Sequence, residues 1–243
     1  MILPEERFNR FVRLVGKSGL ERLQGAFAMV VGVGAVGSFA VEALARSGVG
    51  HLILVDFDTV QPSNINRQLL ALHSTVGQPK VEVLKARLLD INPDLDIAVV
   101  PEYVSEENMG RVMESAGHVD YVVDAIDTLS PKIALIQYCL GNAIPLVSSM
   151  GSGAKVDATM VRLADISKTY QCPLAFMVRK RLHKLGIYKG FQAVFSAELP
   201  HDESMVIEES RNKKSQVGTV SYMPAVFGCV CAQAVITRIA GLV

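Results

Sequence analysis

Ala28-Met-Val-Val-Gly-Val-Gly-Ala-Val-Gly37 runs from an apolar stretch, Ala28 to Val33, into glycines spaced GxGxxG. Ser38 to Ser47 follows with Ala40, Ala43, Leu44 and Ser47 at helical intervals. That order is strand, glycine turn, helix. His51 to Val55 is the next apolar strand, and Asp56 ends it at about the distance where a dinucleotide-binding fold places a ribose-binding acid. Glycines let the backbone approach a phosphate, and a helix N-terminus offers free N–H groups and a positive dipole end. Gly32, Gly34, Gly37 and Asp56 are therefore candidate nucleotide-binding positions. A packed turn would use the same glycines, but the strand before, the helix after and the placed acid together favour a ligand. The fingerprint alone leaves NAD and ATP both open.

Asp56 opens a second polar stretch, Asp56-Phe-Asp-Thr-Val-Gln-Pro-Ser-Asn-Ile-Asn-Arg-Gln68, and Val76-Gly-Gln-Pro-Lys80 follows it. Asp58, Asn64, Arg67 and Lys80 so gather carboxylate, amide, guanidinium and ammonium behind one nucleotide fingerprint. Hydride transfer needs no such cluster. Attack at the α-phosphate of ATP does, because cations neutralise charge in the transition state, an aspartate holds Mg²⁺ and an amide orients an oxygen. Singly, Arg67 and Lys80 would pass for solvated charges and Asn64 for a turn former.

With 243 residues, half of them apolar, the chain is long enough for one large α/β domain with a sizeable core. Lys plus Arg and Asp plus Glu both number 24, so no global field draws the protein to nucleic acid and any RNA contact needs a local patch. Cys139, Cys172, Cys229 and Cys231 form no CxxC pair, and no zinc is expected. With nothing resembling a secretory signal before them, a reducing cytoplasm is the expected compartment. Cys139, Cys229 and Cys231 read as buried structural thiols and Cys172 as a passive thiol in an exposed loop.

The alternation continues. Helices are predicted over Lys80 to Ile91, Glu106 to Ser115 and Pro131 to Leu140, and strands over Asp96 to Val100, Val119 to Val123 and Ile144 to Ser148. Repeated strand-helix units predict an α/β fold, Rossmann-like and doubly wound, with a mainly parallel sheet covered on both faces. Asp124-Ala-Ile-Asp127 falls at the end of one strand, where such folds collect their ligands. The texture changes from Gly151. A strand over Thr159 to Leu163, a basic helix over Pro173 to Leu185, a strand over Gln192 to Ser196 and a polar stretch, His201 to Gln216, read as a C-terminal elaboration that completes the sheet. Val217 to Ile236 has no charged residue. Its Pro, Gly, Ser, Gln and alanines point to a buried helix closing the core, not to a membrane span.

The series GVGAVG, DFDTVQPSNINRQ, VGQPK and DAID resembles the ubiquitin-activating-enzyme-like (ThiF-type) adenylating superfamily, over roughly residues 7 to 165. The resemblance implies ATP as nucleotide, with Asp56 on the ribose and Asn64, Arg67 and Lys80 around the triphosphate. It also implies Asp127 on Mg²⁺, and Arg10 reaching the γ-phosphate across a homodimer, with Arg13 its nearby competitor. It makes Arg67, Lys80, Asp127 and Arg10 the catalytic candidates in a single domain, core 20–165 with 166–243 as elaboration. The paired CxxC motifs of sulfur-carrier adenylyltransferases are missing, although adenylation of a ubiquitin-like carrier's C-terminus stays open as the alternative, with a sulfur-transfer partner. Asp165-Ile-Ser-Lys-Thr-Tyr-Gln-Cys-Pro-Leu174, Arg179-Lys-Arg181 and Val194-Phe-Ser-Ala-Glu198 are similar to the tRNA threonylcarbamoyladenosine dehydratase branch.

That branch implies ATP-dependent activation of the threonyl carboxylate of N6-threonylcarbamoyladenosine beside the tRNA anticodon, at position 37. Closure by a neighbouring ureido atom follows, with net loss of water. The nucleophile is already tethered, so proximity favours closure and no enzymic cysteine is needed. Arg179, Lys180, Arg181 and Lys184 form the densest basic run and are the tRNA-binding candidates, with Arg211, Lys213 and Lys214 farther on. A solvated helix face is the ordinary meaning of such a run. Leu174, Met177, Val178, Leu182 and Leu185 are expected to pack inward beneath it.

Overall fold

A computed structural model of the chain describes residues 4–201, 205–206 and 216–243. The expected Arg211, Lys213, Lys214 group and most of the polar stretch before Gln216 lie outside the described residues. Strands β1 (Phe27–Val31), β2 (His51–Val55), β3 (Asp96–Val100), β4 (Tyr121–Asp124), β5 (Leu146–Ser149), β6 (Val161–Asp165) and β7 (Gln192–Ser196) form one sheet in the order β3-β2-β1-β4-β5-β7-β6. All neighbours are parallel except β6, which runs antiparallel to β7 along the edge. The order reverses between β1 and β4, and that switch point opens a crevice at the carboxyl ends of both strands.

Side chains alternate across the sheet with the period of two that an extended chain dictates. Ala28, Val30, Leu52 and Leu54 enter one core cluster, and Met29, Val31, Ile53 and Val55 the other. Helices α2 (Asn9–Gln24), α3 (Gly37–Arg46), α4 (Lys80–Ile91) and α8 (Tyr222–Ile239) contribute to the first. Helices α5 (Met109–Ser115), α6 (Leu129–Gly141) and α7 (Pro173–His183) contribute to the second. The doubly wound expectation holds, since a mainly parallel sheet must be covered on both faces. A short α1 (Pro4–Arg7) and a two-residue pair, β8 (Met205–Val206) with β9 (Gln216–Val217), complete the order.

Several boundaries differ from the sequence reading for local reasons. α5 begins at Met109 rather than Glu106, because Asn108 Oδ1 accepts the Ser105 N–H at 2.7 Å and folds the preceding residues into a separate turn. α2 is absent from the sequence reading; its apolar stripe is interrupted at Gly16, whose φ of +75° breaks the helix. The edge strand starts at Val161, after a 3₁₀ turn over Ala158–Met160 capped by Asp157. The closing helix starts at Tyr222, because Val217 pairs with Met205. α8 is long and apolar enough to cross a membrane, but it packs on α3, with Met223, Phe227, Cys231 and Val235 buried. Gly228 faces that crossing so closely that a Cβ there would lie 2.4 Å from the Val36 carbonyl oxygen.

Two cysteines exchange their expected places. Cys172 is buried at the start of α7, and Cys229 is exposed on α8. A residue that caps a helix whose next turn packs inward is drawn inward with it, whereas Cys229 stands two positions from the buried Cys231, on the outer side of α8. Burial pushes both Cys139 and Cys231 up to about 12. On α7 the buried stripe is Ala175, Val178 and Leu182, while Met177 and Leu185 are exposed.

Candidate functional site

The glycine turn joins β1 to α3. Gly32 N–H donates to the Val55 carbonyl at 2.8 Å, which ties the turn to the end of β2. A Cβ on Gly37 would lie 1.8 Å from the Gly32 carbonyl oxygen, and one on Gly32 would lie 2.8 Å from that of Ala125. Those two glycines are required by the fold. Gly34 differs, since its Cβ would meet only the Gln68 amide, with Nε2 at 3.5 Å. We expect Gly34→Ala to melt within about 2 °C of wild type yet bind ATP about tenfold more weakly, because the methyl fills the approach to the loop. Gly37→Ala should lower stability by more than ~2 kcal/mol. Thermal melting and nucleotide titration check both, and equal ATP affinity for Gly34→Ala would remove the loop from the site.

Asp56, at the end of β2, accepts the Val33 N–H at 2.8 Å through Oδ2 and the Asp58 N–H at 2.9 Å through Oδ1. Burial raises its carboxyl above the usual range, opposed by Lys80 and those two N–H groups. Lys80 reaches the cluster because the 56–80 loop closes on itself: Val60 N–H donates to Gln78 O at 2.9 Å and Lys80 N–H to Asp58 O at 3.0 Å. Its Nζ then pairs with Asp58 Oδ2 at 2.7 Å, although Lys80 is only 5% exposed.

Asn64 is buried and shapes the loop: its Oδ1 accepts the Gln61 N–H at 3.0 Å. Arg67 is half-buried and folded back, donating through Nη1 to Ser63 O at 2.7 Å and Asn66 Oδ1 at 2.8 Å. Asp127 is exposed beyond β4, in the loop whose Ala125 abuts Gly32. Gly32, Gly34, Gly37, Asp56, Asp58 and Lys80 thus share one cradle, with the Asp127 loop alongside and the loop of Asn64 and Gln68 over Gly34, while the Arg67 side chain turns back onto that loop. Arg10 and Arg13 stand apart, exposed on α2. So do the basic residues of α7, where Arg179 is half-buried with its Nη1 bonded to both oxygens of Thr169, while Lys180, Arg181 and Lys184 are exposed.

Ser38 Oγ and Gln68 Oε1 are the two buried side-chain polar atoms without a hydrogen-bond partner among the described residues. Both flank the glycine turn, one in the first turn of α3 and one over Gly34. A hydroxyl free to donate to a phosphate, an amide oxygen free to accept from a ribose hydroxyl or a base N–H, and open space over Gly34 suit a nucleotide. Cavities of about 580 and 420 Å³ open instead at the amino-terminal edge, lined by Tyr121, Pro145 and Arg238, away from this cradle.

Sequence reasoning missed Ser38 and Gln68, whose signal was only proximity to the motif. It also missed a buried network behind the Asp127 loop. Lys132 Nζ pairs with Asp124 Oδ2 at 2.6 Å and also donates to Ser148 Oγ at 3.1 Å and Ser149 O at 3.0 Å. The signal was a lysine in the first turn of an otherwise apolar helix pattern.

Comparison with known proteins agrees with this geometry. The ThiF family model matches residues 8–242. The chain is 49% identical over 208 residues to the tRNA threonylcarbamoyladenosine dehydratase of Bacillus subtilis, covering 86% of this chain and 80% of the relative. It is 44% identical over 200 residues to the dehydratase of Escherichia coli, covering 79% and 74%. The crystal structure of the E. coli dehydratase TcdA in complex with ATP superimposes with a TM-score of 0.89 at 37% identity, covering 98% of this chain and 95% of that one. The chain belongs to the ThiF family, in its tRNA threonylcarbamoyladenosine dehydratase branch.

Proposed function

We propose that the protein uses ATP to dehydrate N6-threonylcarbamoyladenosine in tRNA to its cyclic form. The observation that carries this reading is a nucleotide cradle with two orphaned polar atoms, in a chain similar nearly end to end to a dehydratase solved with ATP. A threonyl carboxylate oxygen attacks the α-phosphorus and the bond to pyrophosphate breaks, leaving an acyl-adenylate. The ureido group then closes on that carbonyl and AMP leaves, so ATP becomes AMP and pyrophosphate as the substrate loses water. The tethered nucleophile makes the second step a ring closure favoured by proximity.

In this reading Asp56 takes the ribose, Lys80 and Arg67 bear on the triphosphate, and Asn64 holds the loop that presents Arg67. Asp58 holds Lys80 until nucleotide arrives. Asp127 would hold Mg²⁺, which would supply charge neutralisation at the triphosphate. Residues 1–243 act as one adenylating domain in the cytoplasm, where the four free thiols stay reduced. The active form is a homodimer in which Arg10 of each chain completes the neighbouring site.

The test is to incubate the protein with ATP, Mg²⁺ and tRNA bearing the open nucleoside, digest mildly and weigh the nucleosides. Loss of one water from N6-threonylcarbamoyladenosine, with AMP released, is expected. An AMP adduct on a ubiquitin-like carrier's C-terminus in place of the cyclic nucleoside would overturn the reading in favour of carrier adenylation, with a sulfur-transfer partner downstream.

The α7 face is the tRNA contact in this reading. Phe176, Lys180 and Lys184 follow at one-turn spacing, and Phe176 is exposed, which sets an aromatic face among cations as unpaired bases require. Neutralising Lys180, Arg181 and Lys184 together should flatten the salt dependence of tRNA binding by about 2 to 3 logarithmic units per decade, with ATP affinity unchanged. Affinities measured at several salt concentrations decide it; an unaltered slope returns α7 to a solvated face.

A further inference from the structure

Among the described residues three lysines are buried, and each lies beyond the carboxyl end of a sheet strand: Lys80 after β2, Lys132 after β4 and Lys155 after β5. Two of them have carboxylate partners, Lys80 with Asp58 at 2.7 Å and Lys132 with Asp124 at 2.6 Å. Lys155, 3% exposed, has no ion-pair partner among the described residues; its Nζ donates to the backbone carbonyl of Glu198. The Glu198 carboxylate is turned elsewhere, accepting the Val156 N–H at 3.0 Å and the Asp157 N–H at 2.9 Å. A buried ammonium whose hydrogen-bond partner among the described residues is a carbonyl oxygen is costly, and an incoming anion relieves that cost.

The backbone is built to hold this ammonium in place. Ala154, just before it, has a φ of +57°, a conformation that side chains other than glycine rarely adopt. It is fixed by Ala154 N–H to Gly218 O at 2.9 Å and His201 N–H to Ala154 O at 2.9 Å. The same segment adjoins the nucleotide cradle. Gly153 packs on Val217 and Thr219, and the Thr219 carbonyl accepts from Asn66 Nδ2 at 3.3 Å, in the loop that carries Asn64 and Arg67.

We propose that Lys155 binds the substrate carboxylate that is to be activated, exchanging the Glu198 carbonyl for a carboxylate oxygen and holding the other oxygen toward the α-phosphorus of ATP. This rests on the dehydratase reading, in which the group activated is a free carboxylate. The ammonium keeps its proton throughout: an O–P bond forms to the substrate, the bond to pyrophosphate breaks, and Lys155 supplies position and charge. Burial pulls the ammonium's pKa down, opposed by the neighbouring Cys172 and Glu198, and an arriving carboxylate would oppose it further.

The experiment compares wild type, Lys155→Met and Lys155→Arg in ATP-dependent pyrophosphate release with tRNA bearing N6-threonylcarbamoyladenosine, together with ATP titration and thermal melting without ligands. Lys155→Met should lose about a hundredfold in kcat/KM, bind ATP within about twofold of wild type, and melt no lower than wild type, because it removes a buried charge that has no ion-pair partner among the described residues. Lys155→Arg should recover to within about tenfold of wild type. A second readout is discrimination: wild type should bind the free-acid tRNA more tightly than its methyl ester, and Lys155→Met should bind both alike. Active wild type with an unimpaired Lys155→Met overturns the assignment alone. A lower melting point with weaker ATP binding also overturns it, making the lysine a structural tie to Glu198. Wild type that releases no pyrophosphate with this tRNA brings down the dehydratase reading and this assignment together.

Discussion

Lys80→Met should fold normally and lose about 10²- to 10³-fold in turnover. Lys80 lies in the first turn of α4 with its ammonium inside the cradle, paired with Asp58. The methionine fills the same volume, and Asp58, whose side chain is 46% exposed, can hydrate when its partner is removed. The loss therefore falls on the reaction, where a fixed cation opposes charge developing on the triphosphate. Pyrophosphate release and a melting curve measure the two sides, and near-normal turnover with a normal melt would falsify the assignment of Lys80.

The same variant tests the dimer. Mixed with Arg10→Ala chains and allowed to exchange, it should recover about a quarter of wild-type turnover, since half of the dimers are then mixed and each mixed dimer holds one complete site. No recovery despite proven exchange would place Arg10 outside the neighbour's site.

Much of the architecture was legible because parallel sheets leave a strong trace. β1, β2, β4 and β5 are buried on both faces and so read as unbroken apolar runs, with helices periodic between them. The site was legible where backbone geometry forces glycine and so fixes the turn, as at Gly32 and Gly37, or where polar residues crowd behind a strand, as at Asp56. What escaped depends on tertiary distance. Nothing local in the sequence says that Gln68 lies over Gly34, or that Lys155 folds inward while Lys180 stays in water. The two cysteine errors have the same origin, because loop and helix labels do not fix which side of an element meets the core. Arg179 was read as a free cation for want of one contact, its bond to Thr169 ten residues earlier.

The largest loss of stability is expected from Lys132→Met. Lys132 and Asp124 are both fully buried, and every donor and acceptor between them is satisfied. The three ammonium hydrogens meet Asp124 Oδ2, Ser148 Oγ and Ser149 O, the Ser148 hydroxyl donates to Asp124 Oδ2 at 2.5 Å, and Ile126 N–H donates to Asp124 Oδ1 at 3.0 Å. Removing the cation leaves a carboxylate in the core with two neutral donors, which costs about 3 to 5 kcal/mol. For a domain of this size that is a drop of roughly 10 °C in melting temperature. Replacing both partners at once, Asp124→Asn with Lys132→Met, removes both charges and keeps an oxygen for Ile126, so it should return to within about 2 kcal/mol of wild type. Activity should not return with it. Ile126 lies between Ala125, which abuts Gly32, and Asp127, so the charged pair sets the loop that carries Asp127, the proposed Mg²⁺ carboxylate. Melting curves of the single and double variants beside their turnover separate the two roles: a single variant that melts within about 2 °C of wild type would show that the pair is dispensable to the core, and a fully active double variant would show that it does not position Asp127.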